Sequence, residues 1–169
     1  SHDIMQTLEN IIGKENIELD TYSRFKYTTG KSMEDILRLR KGRIEQISDV
    51  VLHPESKEDV IEIVAICNRE KVPLHVYGGG SSVTLGLDCP KGGVTLVMAT
   101  HMNRLVEFNE LNQTVTVEPG MMGPVYEEML NNAPERLNAK ISYTGGHFPQ
   151  SFEYSSVGGW VVTLGSGQA

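Results

Sequence analysis

The stretch Val72–Ser82, which reads VPLHVYGGGSS, decides the fold of this chain. It predicts a strand that ends at Tyr77 and runs directly into three glycines and two serines. Glycine has no Cβ and adopts positive φ readily, so successive backbone amides can turn inward and form a concave nest for an anion. The loop Val76–Gly86 contains no Lys or Arg. An anion bound there would therefore be held by backbone amides, with the two serine hydroxyls as further donors.

Two common phosphate-binding motifs are excluded at this loop. The chain contains no GxxxxGK[ST] sequence, and Val83 occupies the third glycine position that GxGxxG requires. Taken alone, three consecutive glycines are equally consistent with a tight turn after a strand. A ligand site therefore needs support from another part of the chain.

The sequence before the glycine loop predicts a helix, a strand and a second helix. Residues Ser32–Asp35 match a capping box, and a helix with an apolar side follows. Val50–Leu52 predicts a strand, and a second capping box that begins at Ser56 opens the next helix. By their three-and-four spacing, the residues expected on the buried face of this helix are Val60, Ile63, Val64 and Cys67. Strand, helix and strand together indicate a βαβ unit.

After the glycine loop, the sequence predicts a further strand, a hairpin and a helix. Val94–Met98 is an apolar run typical of a buried strand. Leu105–Phe108 and Thr114–Glu118 alternate in polarity on either side of a polar turn, which predicts an antiparallel hairpin. Pro124 suits the first turn of a helix over Gly123–Leu130, because the amide hydrogen that proline lacks has no helical partner there.

A second segment rich in glycine and small hydroxyl residues lies near the end of the chain. Gln150–Trp160 reads QSFEYSSVGGW and Thr163–Gly167 reads TLGSG, with Glu153 as the only charge in these two runs. Two such surfaces in one domain suit a long, bent ligand that carries a diphosphate. The pair therefore favours a dinucleotide over a mononucleotide.

Composition restricts the class of protein. The 169 residues are 39% hydrophobic and 22% charged with a net charge of −7, which indicates a soluble globular domain and argues against a nucleic-acid partner. No apolar run is long enough for a membrane span and no secretory leader is evident, so a cytoplasmic location is expected. Cys67 and Cys89 lie far apart, which predicts reduced thiols. The histidines show no metal-ligand spacing, so no metal site is predicted.

Several single residues have a structural explanation that outweighs a functional one. His147 is expected to be a structural loop histidine, and Trp160, in an apolar run, is expected in the core. Cys67 is predicted to be inert on the buried face of its helix, and Cys89 to be a loop thiol. Glu118 is interpreted as an ordinary carboxylate at the end of a strand and is left outside the site.

The sequence around both glycine-rich segments resembles a known family. The run from Val51–Ser56 (VLHPES) through Val76–Ser82 (VYGGGSS) looks like the start of the PCMH-type FAD-binding domain of the vanillyl-alcohol oxidase superfamily. Lys31–Gly42 (KSMEDILRLRKG) and Tyr143–Trp160 (YTGGHFPQSFEYSSVGGW) resemble, more narrowly, alkyldihydroxyacetonephosphate synthase and its bacterial FAD-linked oxidase relatives. Together these matches extend over most of residues 31–168.

The resemblance implies an α+β fold. The expected architecture is a PCMH-type FAD-binding domain with a small βαβ subdomain and a second subdomain built on a mixed or antiparallel sheet. Residues 1–49 are then an N-terminal helical extension, and residues 50–169 are the FAD-binding domain, incomplete at its C-terminal end. The chain is therefore expected to be the N-terminal fragment of a longer flavoprotein.

The resemblance also implies which residues bind the cofactor. The loop 76–82 would cradle the diphosphate of FAD, while 150–156 and 163–166 would flank the flavin and the rest of the cofactor. The positions implied in this way are Val76, Tyr77, Gly78, Gly79, Gly80, Ser81, Ser82, Gln150, Ser151, Phe152, Glu153, Tyr154, Ser155, Ser156, Gly158, Thr163, Leu164, Gly165 and Ser166.

Three positions depart from patterns found among relatives. Ser81 stands where covalent members of the superfamily have a histidine, so FAD is expected to bind non-covalently. Leu164 stands where members of the subfamily usually have an arginine, which removes a cation that could pair with phosphate or substrate. Gly145 stands where some members have a cysteine.

The leading hypothesis for function is an FAD-dependent oxidoreductase, in which flavin N5 accepts a hydride from a small hydroxy acid or other alcohol-type substrate. One alternative is a transferase of the alkyldihydroxyacetonephosphate synthase type, which forms an ether lipid precursor without net redox change. Another is a binding module that has kept the fold and lost FAD. Catalytic residues are expected downstream of Ala169, so residues 1–169 alone are expected to be inactive. A homodimer of the full-length protein is consistent with each enzyme hypothesis.

Overall fold

The computed structural model describes residues 2–43 and 45–165. The chain contains both helices and strands, with short 3₁₀ turns at Lys14–Asn16 and Phe152–Tyr154. In chain order the elements are α1 (His2–Ile12), β1 (Ile17–Glu18), α2 (Thr21–Lys26), α3 (Met33–Arg40), β2 (Val50–Leu52), α4 (Lys57–Glu70), β3 (Leu74–Tyr77), β4 (Val94–Val97), β5 (Leu105–Asn109), β6 (Thr114–Val117), α5 (Gly123–Asn131), α6 (Ala133–Arg136) and α7 (Val157–Thr163).

The first sheet has four strands in the order β1-β2-β4-β3. Strands β2 and β3 both run parallel to β4, with Val50 and Leu74 on either side of Val94, whereas β1 is antiparallel to β2. Every residue of β2 and β4 is buried, as expected for central strands with little polar character. The predicted βαβ unit is confirmed, with β4 inserted between its two strands.

Helix α4 begins where its sequence predicts, because Ser56 and Asp59 form a complete capping box. Its buried residues are Ile63, Ile66 and Cys67, with Val60 packed against the same core. Val64 was expected on this face and is 46% exposed. The buried arc is centred between Val60 and Ile66, and at 100° per residue Val64 lies beyond its edge.

Strand β3 starts at Leu74, two residues later than the prediction. Pro73 has no amide to contribute to the ladder, but its carbonyl accepts a hydrogen bond from the Val94 amide at 2.8 Å. Cys89 was predicted to be a loop thiol, and the structure buries it beside Thr95 of β4, with 3.9 Å between Sγ and Oγ1. Burial raises the pKa of both the Cys67 and the Cys89 thiol, which keeps them protonated.

The second sheet is the predicted antiparallel hairpin of β5 and β6. It packs on α5 in a separate apolar cluster, which is centred on Met121, Met129 and Leu130. Pro124 lies in the first turn of α5, as its sequence predicts. The mixed four-stranded sheet, the antiparallel hairpin and the helices of the chain confirm the α+β fold class.

Residues 1–49, predicted as a helical extension, contain β1 as well as three helices. Leu8 and Ile12 of α1 are buried in the same core as Leu52 and Leu96 of the sheet. The extension is therefore attached to the first sheet through a strand and a shared core. A domain boundary between residues 49 and 50 stays a prediction. In the part of the chain that the structure describes, no helix is long and apolar enough to cross a bilayer.

Candidate cofactor site

The glycine loop lies at the carboxyl end of β3, at the edge where the parallel strands β2 and β4 also end. In open α/β sheets this edge is where ligands bind, because the loops that follow the strands leave a crevice there. The loop begins immediately after Tyr77, the last residue of β3. The topology therefore places the predicted diphosphate cradle at a position that suits a ligand.

The backbone amides of residues 78–82 in this loop have no acceptor within residues 2–43 and 45–165. Those of Gly78, Gly79, Gly80, Ser81 and Ser82 donate no hydrogen bond to a backbone or side-chain atom in these ranges. Gly80 adopts a φ of +72°, which turns the chain in the left-handed sense. A run of unpaired amides with such a turn can cradle phosphate oxygens, so the residues present fit a diphosphate.

The structure brings the two predicted loops into direct contact. A Cβ atom on Gly78 would strike the Ser156 hydroxyl. A Cβ atom on Gly79 would lie 2.7 Å from the Tyr154 carbonyl carbon and 2.8 Å from the Ser155 Cα. These two glycines are therefore needed for packing one loop against the other. A tight turn after a strand would not by itself require glycine for this reason.

Ser155 and Ser156 hold the second loop in place through their buried side chains. The Ser155 hydroxyl accepts a hydrogen bond of 2.7 Å from Trp160 Nε1. The Ser156 hydroxyl caps α7 by accepting from the Gly159 amide at 3.3 Å. The Ser155 carbonyl also accepts from the Gly123 amide at 3.0 Å, which ties the loop to α5.

Beside this contact, residues 148–154 form an open cleft of about 380 Å³. Four predicted site residues line it, namely Ser151, Phe152, Glu153 and Tyr154, together with Phe148 and Pro149. The Phe152 ring stacks on Trp160 with 5.7 Å between centroids and 22° between planes. Trp160 itself is buried, as predicted, so it supports the cleft from beneath.

The remaining predicted positions lie on or near α7. Gly158 is packed against Pro119, and its amide donates to the Pro119 carbonyl at 2.9 Å. The Thr163 hydroxyl donates to the Gly159 carbonyl one turn back, while Leu164 is 89% exposed. Gly165 lies beside Pro149 of the cleft.

Three predicted positions are not among these residues. Gln150 is exposed next to the cleft, and Val76 is exposed on β3. Ser166 lies outside the described residues.

Sequence reasoning missed a polar cluster at the same edge of the first sheet. His53, which follows β2, has its Nδ1 2.7 Å from Thr100 Oγ1. Its Nε2 lies 3.1 Å from Glu18 Oε1, in an alignment that does not form a hydrogen bond. Burial lowers the pKa of His53 below its ordinary value of about 6.5, although Glu18 acts in the opposite direction. The sequence feature that could have indicated His53 is its position directly after a predicted strand.

Aromatic rings connect this cluster to the glycine loop. Tyr27 packs edge-on against both His53 and Tyr77, at centroid distances of 5.5 and 5.1 Å. The Tyr77 ring in turn lies under Gly80, where a Cβ atom would strike its hydroxyl. Burial raises the pKa of Tyr77. The glycine loop thus rests on a packed aromatic support.

Two other single residues have the structural roles expected of them. His147 packs edge-on against Trp160 at 5.9 Å. The Glu118 carboxylate accepts from Arg104 Nε at 2.9 Å and from Nη2 at 2.8 Å, a paired contact that lowers its pKa. Among the described residues, no group of three or more His, Cys, Asp and Glu side chains could hold a metal ion.

Comparison with known sequences identifies the family. The profile described as "FAD binding domain" matches residues 48–169. Alkyldihydroxyacetonephosphate synthase of Trypanosoma brucei brucei is 29% identical over 164 residues, which cover 95% of this chain and 25% of that protein. The glycolate oxidase subunit GlcD of Bacillus subtilis is 27% identical over 154 residues, which cover 88% and 31%.

Solved structures agree with the sequence matches. A structure of alkyldihydroxyacetonephosphate synthase has a TM-score of 0.88 at 26% identity, over 99% of this chain and 32% of that one. The 4-ethylphenol oxidase from Gulosibacter chungangensis, in an isoeugenol complex, has a TM-score of 0.72 at 27% identity, over 98% and 29%. The chain therefore spans about a quarter to a third of the length of these relatives.

The family match and the site geometry point to the same cofactor. The matched residues include the whole glycine loop and the cleft, and the loop amides, which have no acceptor in the part of the chain that the structure describes, suit the diphosphate of FAD. A module that has lost FAD finds no support in these relatives. FAD is the cofactor of this fold, and the chain belongs to the FAD-binding domain family of PCMH type, a family of FAD-dependent oxidoreductases.

Proposed function

We propose that this chain is the FAD-binding portion of an enzyme that oxidises a hydroxy acid or another small alcohol-type substrate. The observation that carries the proposal is the run of amides from Gly78 to Ser82 at the carboxyl end of β3, which donate no hydrogen bond within the described residues and are closed on one side by residues 154–156. Relatives that are named as oxidases and dehydrogenases support the same class of chemistry, including the glycolate oxidase subunit and a mitochondrial D-lactate dehydrogenase of Arabidopsis thaliana.

In this proposal the glycine loop holds the diphosphate through its backbone. The loop 76–86 contains no Lys or Arg, so an anion there would be held by uncharged donors, chiefly the amides and the hydroxyls of Ser81 and Ser82. Residues 150–154 and 163–166 would contact the flavin and the rest of FAD. Ser155 and Ser156 would contribute through their backbone, since their hydroxyls are buried and hydrogen-bonded inside the protein.

When bound, FAD supplies a hydride acceptor at flavin N5. The residues of this chain bind and orient the cofactor, and the packed contact between the two loops excludes water from one side of it. Groups that hold the substrate are expected downstream of Ala169. Since Ser81 offers no ring nitrogen for a bond to flavin, the cofactor is proposed to bind non-covalently.

A second candidate function is an alkyldihydroxyacetonephosphate synthase-type transferase. The observation that favours it is the TM-score of 0.88 over 99% of the chain, which includes the residues before the family match begins at residue 48. Leu164 weighs against it, since an exposed leucine takes the place of the arginine that is usual in that subfamily. The two candidates share the cofactor site and differ in whether the substrate is oxidised.

The test is the visible absorption spectrum of the purified full-length protein, followed by anaerobic addition of candidate hydroxy acids. A flavin spectrum that bleaches with one of them supports the oxidoreductase. If no hydroxy acid bleaches the flavin, the same protein is given an ester of dihydroxyacetone phosphate and a long-chain alcohol. Formation of an ether product would support the transferase instead, and a protein without flavin absorbance that binds no added FAD would contradict both.

A further inference from the structure

The loop that begins at Gly78 continues to Gly93, and the chain segment before the family match holds it at several points. This segment, residues 27–43 and 45–46, is called the strap. We propose that the strap positions the glycine loop for FAD, so that residues outside the matched domain set cofactor affinity. The proposal rests on the proposed site for FAD, in which residues 78–82 bind the diphosphate.

The first attachment is at Ser82, the last residue of the amide run. The Lys31 amide donates to the Ser82 carbonyl at 2.7 Å. Gly30 lies so near that a Cβ atom on it would be 2.6 Å from the same oxygen. The strap therefore fixes the orientation of the Ser82–Val83 peptide, which directly follows the last amide of the run.

The second attachment is an ion pair farther along the loop. Arg38 Nη1 of α3 lies 2.8 Å from Asp88 Oδ2, and the two side chains are only 18% and 14% exposed. A charge-assisted hydrogen bond that is largely shielded from solvent is stronger than a surface pair. Arg38 also contacts Glu34 on its own helix, but that carboxylate is 60% exposed.

The start of α3 is itself rigid, so the attachments have a fixed base. The Asp35 carboxylate is buried and accepts hydrogen bonds from the Ser32 amide at 3.0 Å and from the Ser32 hydroxyl at 2.6 Å. A third attachment, from the Cys89 amide to the Gln46 carbonyl at 2.7 Å, closes the far end of the loop. Tyr27 adds a contact to Tyr77, where the loop begins.

Preorganisation explains why such attachments matter for a site made of amides. The amides of residues 78–82 donate no hydrogen bond within the described residues. A stretch of this kind loses conformational freedom when it binds a ligand, and this loss reduces affinity. Attachments at Ser82 and Asp88 remove part of that freedom beforehand. The strap residues thus act as positioning residues that do not touch the cofactor themselves.

The experiment compares Asp88→Asn with Glu34→Gln in the full-length protein. Both changes convert a carboxylate partner of Arg38 to an amide, but only Asp88 belongs to the loop. Hydrogen exchange of residues 78–89 is measured without FAD, and the Kd for FAD is measured by quenching of flavin fluorescence. We expect Asp88→Asn to speed exchange in the loop and to raise the Kd about tenfold, the equivalent of one charge-assisted hydrogen bond. Glu34→Gln should change neither quantity.

A second variant keeps the test decisive if Asp88→Asn folds poorly. Arg38→Gln removes the same ion pair from the other side, and Arg38→Lys should restore part of the affinity because it keeps the charge. If hydrogen exchange of residues 78–89 is unchanged in folded Asp88→Asn and Arg38→Gln, the strap does not hold the loop and the proposal is overturned. Faster exchange with an unchanged Kd would show that the strap holds the loop without setting FAD affinity, and this result would also overturn the proposal. The proposed FAD site fails separately, if the unmodified full-length protein binds no FAD.

Discussion

Gly79 lies against Tyr154, and a Cβ atom at position 79 would come within 2.7 Å of the Tyr154 carbonyl carbon. A real side chain does not tolerate such a distance, so one of the two loops would have to move. The backbone atoms involved have little freedom to do so, because the Tyr154 amide donates to the Ser151 carbonyl at 2.8 Å. This glycine therefore serves the contact between the two halves of the cofactor site.

Gly79→Ala is expected to destabilise the full-length protein by about 1–3 kcal/mol, the usual cost of an overpacked site. FAD affinity should fall with it, because the displaced loop carries the amides of residues 78–82, which are proposed to bind the diphosphate. The matched control is Gly159→Ala, where the new Cβ would lie 3.4 Å from the Ser156 hydroxyl and alanine favours the helix. Urea unfolding and FAD titration of both variants measure the effects. Equal stability of the two variants would show that the loops do not meet as described.

The hydrogen bond from Trp160 to Ser155 gives a second test of the support beneath the cleft. Ser155→Ala leaves the buried indole N–H without an acceptor, which costs about 1–3 kcal/mol. Thr163→Ala removes an exposed hydroxyl from the same region and is expected to stay within about 0.5 kcal/mol of the parent. The free energy of unfolding in urea measures the difference, and a loss in Ser155→Ala no larger than in Thr163→Ala would contradict it.

His53 is expected to make stability depend on pH. Because burial lowers its pKa in the folded state, the unfolded chain binds a proton more readily at this residue. The contribution of His53 to the free energy of unfolding is therefore fully present above its ordinary pKa of about 6.5 and falls as the pH decreases below that value. In His53→Gln this contribution disappears. Urea unfolding of both proteins between about pH 8 and pH 5 measures the slopes, and an equally steep fall in the variant would refute the assignment.

The local parts of this fold could be predicted because the signal lies within a few residues. The capping boxes at Ser32 and Ser56 need only a side chain and an amide three positions away, and both form as predicted. The strand that ends at Tyr77 and the hairpin follow from equally local patterns. Helix faces depend on neighbours in space, and Val64 was misplaced for that reason.

The candidate site could be predicted as two segments but not as one surface. Nothing in the sequence relates Gly78 to Ser156, because 78 positions separate them and the contact depends on how the sheet and α7 pack. The pairing of β1 with β2 and the attachment of Lys31 to Ser82 are equally non-local. The sequence indicates a ligand cradle at the glycines. It does not show that Gly78 and Gly79 are also needed for packing against the second loop.

The last prediction concerns how FAD is held. A covalent bond from protein to flavin needs a nucleophilic side chain at the cofactor, and position 81 provides a serine hydroxyl instead of a ring nitrogen. His53, His75 and His101 lie on or after strands of the first sheet, and His147 packs against Trp160. Acid precipitation of the flavin-loaded full-length protein is therefore expected to leave the yellow colour in the supernatant. The control is Ser81→His, which offers the ring nitrogen and tests whether position 81 faces the flavin at all. Colour retained in the pellet of the unmodified protein would show a covalent link and would require a nucleophile outside the glycine loop.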